Sequence, residues 1–284
     1  MFELNSEELV KKFGSAAEKM PAFPKSVQRI LELTRNIDCQ PREIVSVIEK
    51  DPVMTVRILK VLNSPYYNLP GKITSINRSI VYLGFNTIKN LALGIALIGV
   101  LPKQNKAGFD IHQYLRHSLV VAGISRLLCG RIASEADPTA CYIAGLLHDF
   151  GKVVFAQFMT DEFRAALDLA KTENMPLHLA EEHILGADHC LMGSMLAEKW
   201  QLPEFLVETI RHHHDYAGED SDILACVVTA NHISKQAAWG GSGTGMEAPP
   251  PFAAARCGGI EITAEETVII REEAEIFSKI GGEA

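Results

Sequence analysis

His148 directly precedes Asp149 in "GLLHDFGK" (145–152), at the end of an apolar stretch where a helix should be burying itself. Imidazole beside carboxylate is a ligand pair for a transition metal. A buried His next to a buried Asp is costly unless the two are paired or coordinated. On a helix the two side chains diverge by about 100°, so they can bracket one ion at the helix end; alternatively they cap or bond neighbouring helices. The histidines cluster: all ten fall between His112 and His232. His117, in "LRHSLVVAGISRLL", shares a face with Val120, Val121, Ile124 and Leu128, as a satisfied core residue or a ligand. His189 follows "LGAD" and opens "HCLMGSMLAEKW", as a cap-region residue or a ligand. In "RHHHD" (211–215) three consecutive histidines cannot all point one way, so one or two turn inward, unless the triplet lies on the surface. His112, His178, His183 and His232 are read as surface or core. Together the set suits Fe, Mn, Zn, Ni or Co rather than Ca or Mg. Such an ion lowers the pKa of a coordinated water and generates a nucleophile for phosphorus. Lys152, one turn beyond His148, would reach a phosphate oxygen or stand as a solvated charge.

Helices must position these residues, since nearly every long segment repeats with helical period. "SVQRILELT" puts Val27, Ile30, Leu31 and Thr34 on one face, and Pro41 opens "PREIVSVIEK". In "DPVMTVRILKVLN", Asp51 is the expected N-cap and Pro52 the first helical residue, with Val53, Val56, Leu59 or the Lys60 stem, and Leu62 as the apolar face. "NSPYYNLPG" (63–71) reads as a loop. "TSINRSIVYLGF" carries the stripe Ile76, Ile80 and Leu83, broken by Gly84, and 86–101 forms an apolar helix. Later helices are expected at 111–128, 138–152, 161–173, 177–185, 188–200, 203–213 and 221–239. The fold class is all-α: an HD-like helical bundle lobe (111–239) with a smaller N-terminal helical lobe (1–101), the polar "PKQNKAGFD" between them. Residues 240–260 read as a flexible insertion without a phosphate-binding GK[ST]. Residues 261–284, with a capping box in Thr263 and Glu266, read as a final helix packing on the body.

With 284 residues, 47% of them hydrophobic, the chain can bury a sizeable core without cross-links. A net charge of −8, from 27 basic and 35 acidic residues, argues against a large nucleic-acid footprint. Cys39, Cys129, Cys141, Cys190, Cys226 and Cys257 form no CxxC pair and read as reduced, mostly core residues, which suits the cytoplasm. "MFELNSEELVKKFGS" has no apolar h-region, so no signal peptide is expected. The longest apolar run, 91–101, is shorter than the roughly 20 residues a membrane span needs.

The segments "MPAFPKSVQRILEL", "DPVMTVRILKVLNSPYY", "ITSINRSIVYLGF" and "LALGIAL" of the first lobe, with "RHSLVVAG", "AGLLHDFGK", "EEHILGADHCLMGSMLAEKWQLP" and "IRHHHD" of the second, together resemble the HDOD family, a bacterial branch of the HD superfamily. The resemblance spans residues 20–235. It implies that His117, His148 and Asp149 surround one or two divalent ions (Fe, Mn, Ni or Zn), with Asn231 in the place of the superfamily's distal aspartate. Asparagine is a weaker, neutral ligand and cannot act as a carboxylate base. The related HD-GYP phosphodiesterases of cyclic di-GMP would add His189, His213 and His214 as metal ligands, with Lys152 and Asp149 as catalytic residues. The GYP sequence is missing, "DYAGEDSD" following the histidines instead, and Gln113 stands where some of those enzymes carry a glutamate. Two readings follow. One is a signalling module that holds a metal or ligand in the HD lobe and meets protein partners through the N-terminal lobe and its loop 63–71. The other is a metal-dependent phosphohydrolase acting on a cyclic dinucleotide, a nucleotide or another phosphoester. The lost carboxylate and the missing GYP favour the first. Packed histidines without an ion are the structural alternative to both.

Overall fold

Short polar residues and prolines fix where the helices start. The side chain of Asp51 accepts from the backbone N–H of Met54, that of Asp110 from His112 and Gln113, that of Asp188 from Cys190 and Leu191, and Ser75 accepts from Arg78. Pro41, Pro52 and Pro251 take first helical positions, where the missing N–H costs nothing. The computed structural model describes all residues except 1–5, 22–24, 35–39, 64–66, 68, 102–104, 133–135, 217–220, 238–249 and 283–284. Cys39 and most of the loop 63–71 thus lie outside the described residues. The helices are α1 (Ser6–Lys19), α2 (Lys25–Thr34), α3 (Pro41–Glu49), α4 (Pro52–Leu62), α5 (Ile76–Leu83), α6 (Phe85–Val100), α7 (Ile111–Cys129), α8 (Pro138–Leu147), α9 (Gly151–Phe158), α10 (Thr160–Thr172), α11 (Leu177–Leu185), α12 (His189–Lys199), α13 (Glu204–His212), α14 (Asp222–Gln236), α15 (Pro251–Cys257) and α16 (Ala264–Gly282). No strand occurs among the described residues, so the all-α class stands. None of the described helices is long and apolar enough to cross a membrane.

The chain divides into two compact units, Met1–Pro21 with Pro102–Glu261, and Ala22–Leu101 with Ile262–Ala284. The grouping departs from boundaries drawn along the chain: α1 joins the later residues, and α16 joins the earlier ones. In the smaller unit Val27, Ile30, Ile44, Ile48, Ile58 and Ile76 are core residues. The face of α4 differs from expectation. Val53 and Val56 are 61% and 64% exposed, while Met54, Ile58, Val61 and Leu62 are buried. That helix carries apolar residues on more than one side, so its pattern allows two stripes, and packing against α6 selects the second. Asn63 ties the two ends of the following loop, donating to the carbonyls of Leu59 and Ile73 and accepting from Ile73 N–H.

In the larger unit α7 is buried on nearly all sides, packed on α8 and α14. The Cα of Gly145 passes close to α7: an added Cβ would lie 2.9 Å from Ala122 Cα. Residues 138–152 are not one helix, as their pattern suggests. α8 ends at Leu147, the chain turns through His148–Phe150, and α9 begins at Gly151. Three-residue bonds, Phe150 N–H to Leu147 O and Lys152 N–H to Asp149 O, replace the helical ladder there. The break lets His148 and Asp149 face inward together, which neighbours on a continuous helix do not. α9 then runs against the first turn of α12. A Cβ on Gly151 would sit 2.0 Å from the carbonyl oxygen of His189, and one on Gly193 would sit 2.8 Å from Ile210 Cγ2. Part of the segment read as a flexible insertion, 251–257, is helix α15, packed on α14.

Gly151→Ala is therefore expected to destabilise the protein by about 3 kcal/mol, the upper range for overpacking a rigid contact. A urea midpoint for Gly151→Ala equal to wild type would contradict the close approach of α9 and α12.

Candidate metal centre

Six elements contribute to one buried cluster: α7 brings His117, the turn after α8 His148 and Asp149, α9 Lys152, α12 His189, the end of α13 His213 and His214, and α14 Asn231 and Ser234. His117, His148 and His189 have no solvent exposure, Asp149 and His213 have 1%, and Lys152 has 2%. His214 is half-buried and marks the outward edge of the cluster.

The rings share one orientation. His148 Nδ1–H donates to the Gly145 carbonyl at 2.8 Å, and His213 Nδ1–H to the Ile210 carbonyl at 2.9 Å. His189 Nδ1 lies 2.5 Å from Glu181 Oε2, a carboxylate buried on α11. A carbonyl or carboxylate oxygen only accepts, so in the neutral rings these bonds leave Nε2 as the lone-pair nitrogen. His117 Nδ1 meets Ser234 Oγ at 3.1 Å. All four Nε2 atoms then turn toward Asp149. His117 and His148 approach its Oδ2 at 3.7 and 3.4 Å. His189 and His213 approach its Oδ1 at 3.1 and 3.5 Å. His117 Nε2 and His148 Nε2 are buried with no hydrogen-bond partner. Outward Nδ1 anchors with convergent Nε2 atoms are the arrangement that metal-binding histidines use. The donors form two groups, His117–His148–Asp149 and His189–Cys190–His213–His214, each with ligand atoms mutually within 4.8 Å. The chain's residues thus fit a divalent transition metal, with the two oxygens of Asp149 facing the two groups.

Electrostatics favour ligation at four of the rings and a charged ring at His189. Burial lowers His117 to about 4, and burial likewise lowers His148, His213 and His214, keeping these rings in the neutral form that ligates. Burial opposes the charged form of His189 too, yet Glu181 and bonds to Asp149 and Glu181 raise it to about 9. Burial alone would raise Asp149, but the nearby His148 and Lys152, with His189 and His213 close to Oδ1, hold it well below the usual carboxylate range. Lys152 Nζ donates to Asp149 Oδ2 at 2.7 Å, so this side chain is no solvated charge at a helix end.

Each residue proposed from sequence as a ligand falls in this cluster. Gln113 does not: it is exposed on the first turn of α7. Asn231 is buried beside His117, its Oδ1 without a hydrogen-bond partner. Sequence reasoning missed Glu181, His178 and Cys190. His178, on α11, stacks on His214 with ring centroids 4.1 Å apart. Glu181 had a legible signal: it shares the apolar face of Leu177, Ala180 and Leu185, where a charge demands a partner.

Residues 20–216 match the HDOD domain family. The crystal structure of an HDOD domain protein of unknown function from Geobacter sulfurreducens superposes with a TM-score of 0.77 at 28% identity, covering 96% of this chain and 95% of that one. A Shewanella amazonensis protein provisionally named a phosphohydrolase shares the fold, with a TM-score of 0.70 at 20% identity and coverage of 95% and 97%. Ribonuclease Y of Mycoplasma mycoides is 30% identical over 159 residues, which are 53% of this chain and 30% of that enzyme. The chain spans less than half the length of the first curated relatives it matches.

Two outcomes are expected of protein stripped of metal. Its stability should fall as pH drops from about 7.5 to about 5, because the unfolded histidines take up protons near 6.5 while the lowered ones in the fold do not. His189 works in the opposite sense: its contribution is full below 6.5 and lost as pH rises through about 9. Denaturant midpoints across this range check both limbs, and a midpoint flat below pH 7 would contradict the buried neutral rings. Separately, Glu181→Gln is expected to weaken metal affinity by about 10–100-fold with the fold retained, measured by competition with a chromophoric chelator.

Proposed function

We propose a regulatory function for this chain, which belongs to the HDOD family: it is a signalling module that holds a divalent transition metal (Fe, Mn, Ni or Zn) at its HD site. The observation that carries the metal is the set of four Nε2 atoms turned onto one buried carboxylate. His117, His148 and Asp149 would hold one ion, and His189, His213 and His214 a second. A bound ion supplies Lewis acidity and a fixed positive charge. The protein's residues do the rest: Lys152 offsets the charge of Asp149, Glu181 and the carbonyls of Gly145 and Ile210 hold the rings in one tautomer, and the helices around them exclude water.

Asn231 supports regulation over turnover. A neutral amide at the superfamily's aspartate position gives the site one carboxylate fewer to hold ions or accept a proton. The smaller unit offers exposed Val53, Val56, Val81 and Tyr82 to a protein partner in the signalling pathway.

A second reading, a phosphohydrolase acting on a cyclic dinucleotide, a nucleotide or another phosphodiester, is favoured by one feature. Lys235 lies within electrostatic reach of His117, His178 and His214, placing positive charge toward the half-buried edge of the cluster. The names of ribonuclease Y and the Shewanella protein point the same way.

Elemental analysis of protein purified anaerobically without an affinity tag is expected to find a stoichiometric transition metal that His148→Ala largely loses. Equal metal content in both proteins, or none in either after reconstitution, would remove the proposed centre. The loaded protein is expected to be inert toward cyclic dinucleotides, nucleotides and short RNA; turnover abolished by Asp149→Ala would establish the second reading instead.

A further inference from the structure

The first turn of α12 places a donor of a different kind beside His189. Cys190 is 3% exposed, and its Sγ lies 3.6 and 3.7 Å from Nδ1 and Nε2 of His213. His213 Nε2 is in turn 3.3 Å from His189 Nε2. His213 Nδ1–H is committed to the Ile210 carbonyl, so Nε2, which faces His189, is the lone-pair nitrogen. A tetrahedral ion with nitrogen at about 2.05 Å and sulfur at about 2.3 Å separates two nitrogens by about 3.3 Å and nitrogen from sulfur by about 3.6 Å. The two histidine nitrogens already stand at that separation, the Sγ–Nε2 pair is slightly wider at 3.7 Å, and the four donors lie mutually within 4.8 Å, so a small rotation of the Cys190 side chain completes the set. Asp188 fixes the turn by accepting from Cys190 and Leu191 N–H, so the thiol is presented by a capped helix end rather than a loose loop. Among the described residues, Cys129, Cys141, Cys226 and Cys257 join no comparable group of donors.

We propose that Cys190 is a thiolate ligand on the Oδ1 side of Asp149, so that His189, Cys190, His213 and His214 form a mixed nitrogen–sulfur site. Sulfur selects a borderline-soft divalent ion, Zn(II), Fe(II) or Co(II), over Mn(II) or Mg(II). The inference rests on the metal-centre reading above and narrows the ion that half of it takes. On binding, the S–H proton leaves to solvent as the sulfur–metal bond forms. Burial, with Asp188 beside it, keeps the thiol protonated without a cation, and a bound cation reverses that balance. A structural thiol has a different signature: it is an inert apolar filler with no spectroscopic link to the ion.

The test is anaerobic titration of metal-stripped full chain with Co(II), followed by absorption spectroscopy, on wild type, Cys190→Ser and Cys226→Ser. Wild type and Cys226→Ser are expected to show a near-ultraviolet sulfur-to-cobalt charge-transfer band beside the visible ligand-field bands. Cys190→Ser should lose the first entirely and keep ligand-field intensity from the imidazoles; Cys190→Ala gives the same readout if the serine variant does not fold. Cobalt bound without the charge-transfer band, or a band that survives in Cys190→Ser, overturns the thiolate and leaves the histidine–aspartate centre standing. No cobalt bound to wild type overturns the centre itself, and the thiolate with it.

Discussion

Everything in the larger unit answers to one buried carboxylate. Asp149 sits inside a helical core with 1% of its surface exposed, where an uncompensated charge is prohibitive. It is kept ionised by a lysine on one oxygen and by imidazoles on both. That requirement explains the turn between α8 and α9, which aims His148 and Asp149 to the same side. It also explains the glycines: Gly151 and Gly193 let α9 and α12 approach until His189 reaches Oδ1. A Cβ at Gly151 would push against the carbonyl of the very residue that must stay close.

The site was legible in residue types more than in local structure. Ten histidines confined to one stretch, with "HD" at the end of an apolar run, mark the candidate ligands that the fold gathers into one cluster. The turn that makes His148 and Asp149 work together was not legible. Residues 138–152 keep an apolar helical pattern through it, and periodicity cannot register a close approach by a helix some forty residues later. Glu181 and Cys190 escaped for related reasons. Glu181 serves His189 and Cys190 meets His213, and a single buried thiol or carboxylate looks ordinary until its neighbour across the fold is known. In the smaller unit, α4 shows the opposite limit. Apolar residues on several sides allowed two burial faces, and tertiary packing chose between them.

On the proposed reading, Asn231 separates holding an ion from using it. The imidazoles are oriented and anchored, and His117, His148 and His213 are held neutral, which is what retention of an ion requires. The residue at the position of the superfamily's distal aspartate is an amide with an unpartnered Oδ1, able to donate a weak oxygen ligand but no carboxylate charge. On the regulatory reading proposed above, an ion held there shapes the surrounding helices, with consequences read by a partner rather than by a substrate.

The most direct test is anomalous diffraction at a transition-metal edge from crystals grown anaerobically with the ion present. The account predicts strong peaks beside Asp149 at bonding distance from histidine Nε2 atoms, with every Nδ1 still on its outward partner. Imidazoles in the same positions with no anomalous density beside the carboxylate would contradict it, and would make His148 and Asp149 a structural pair.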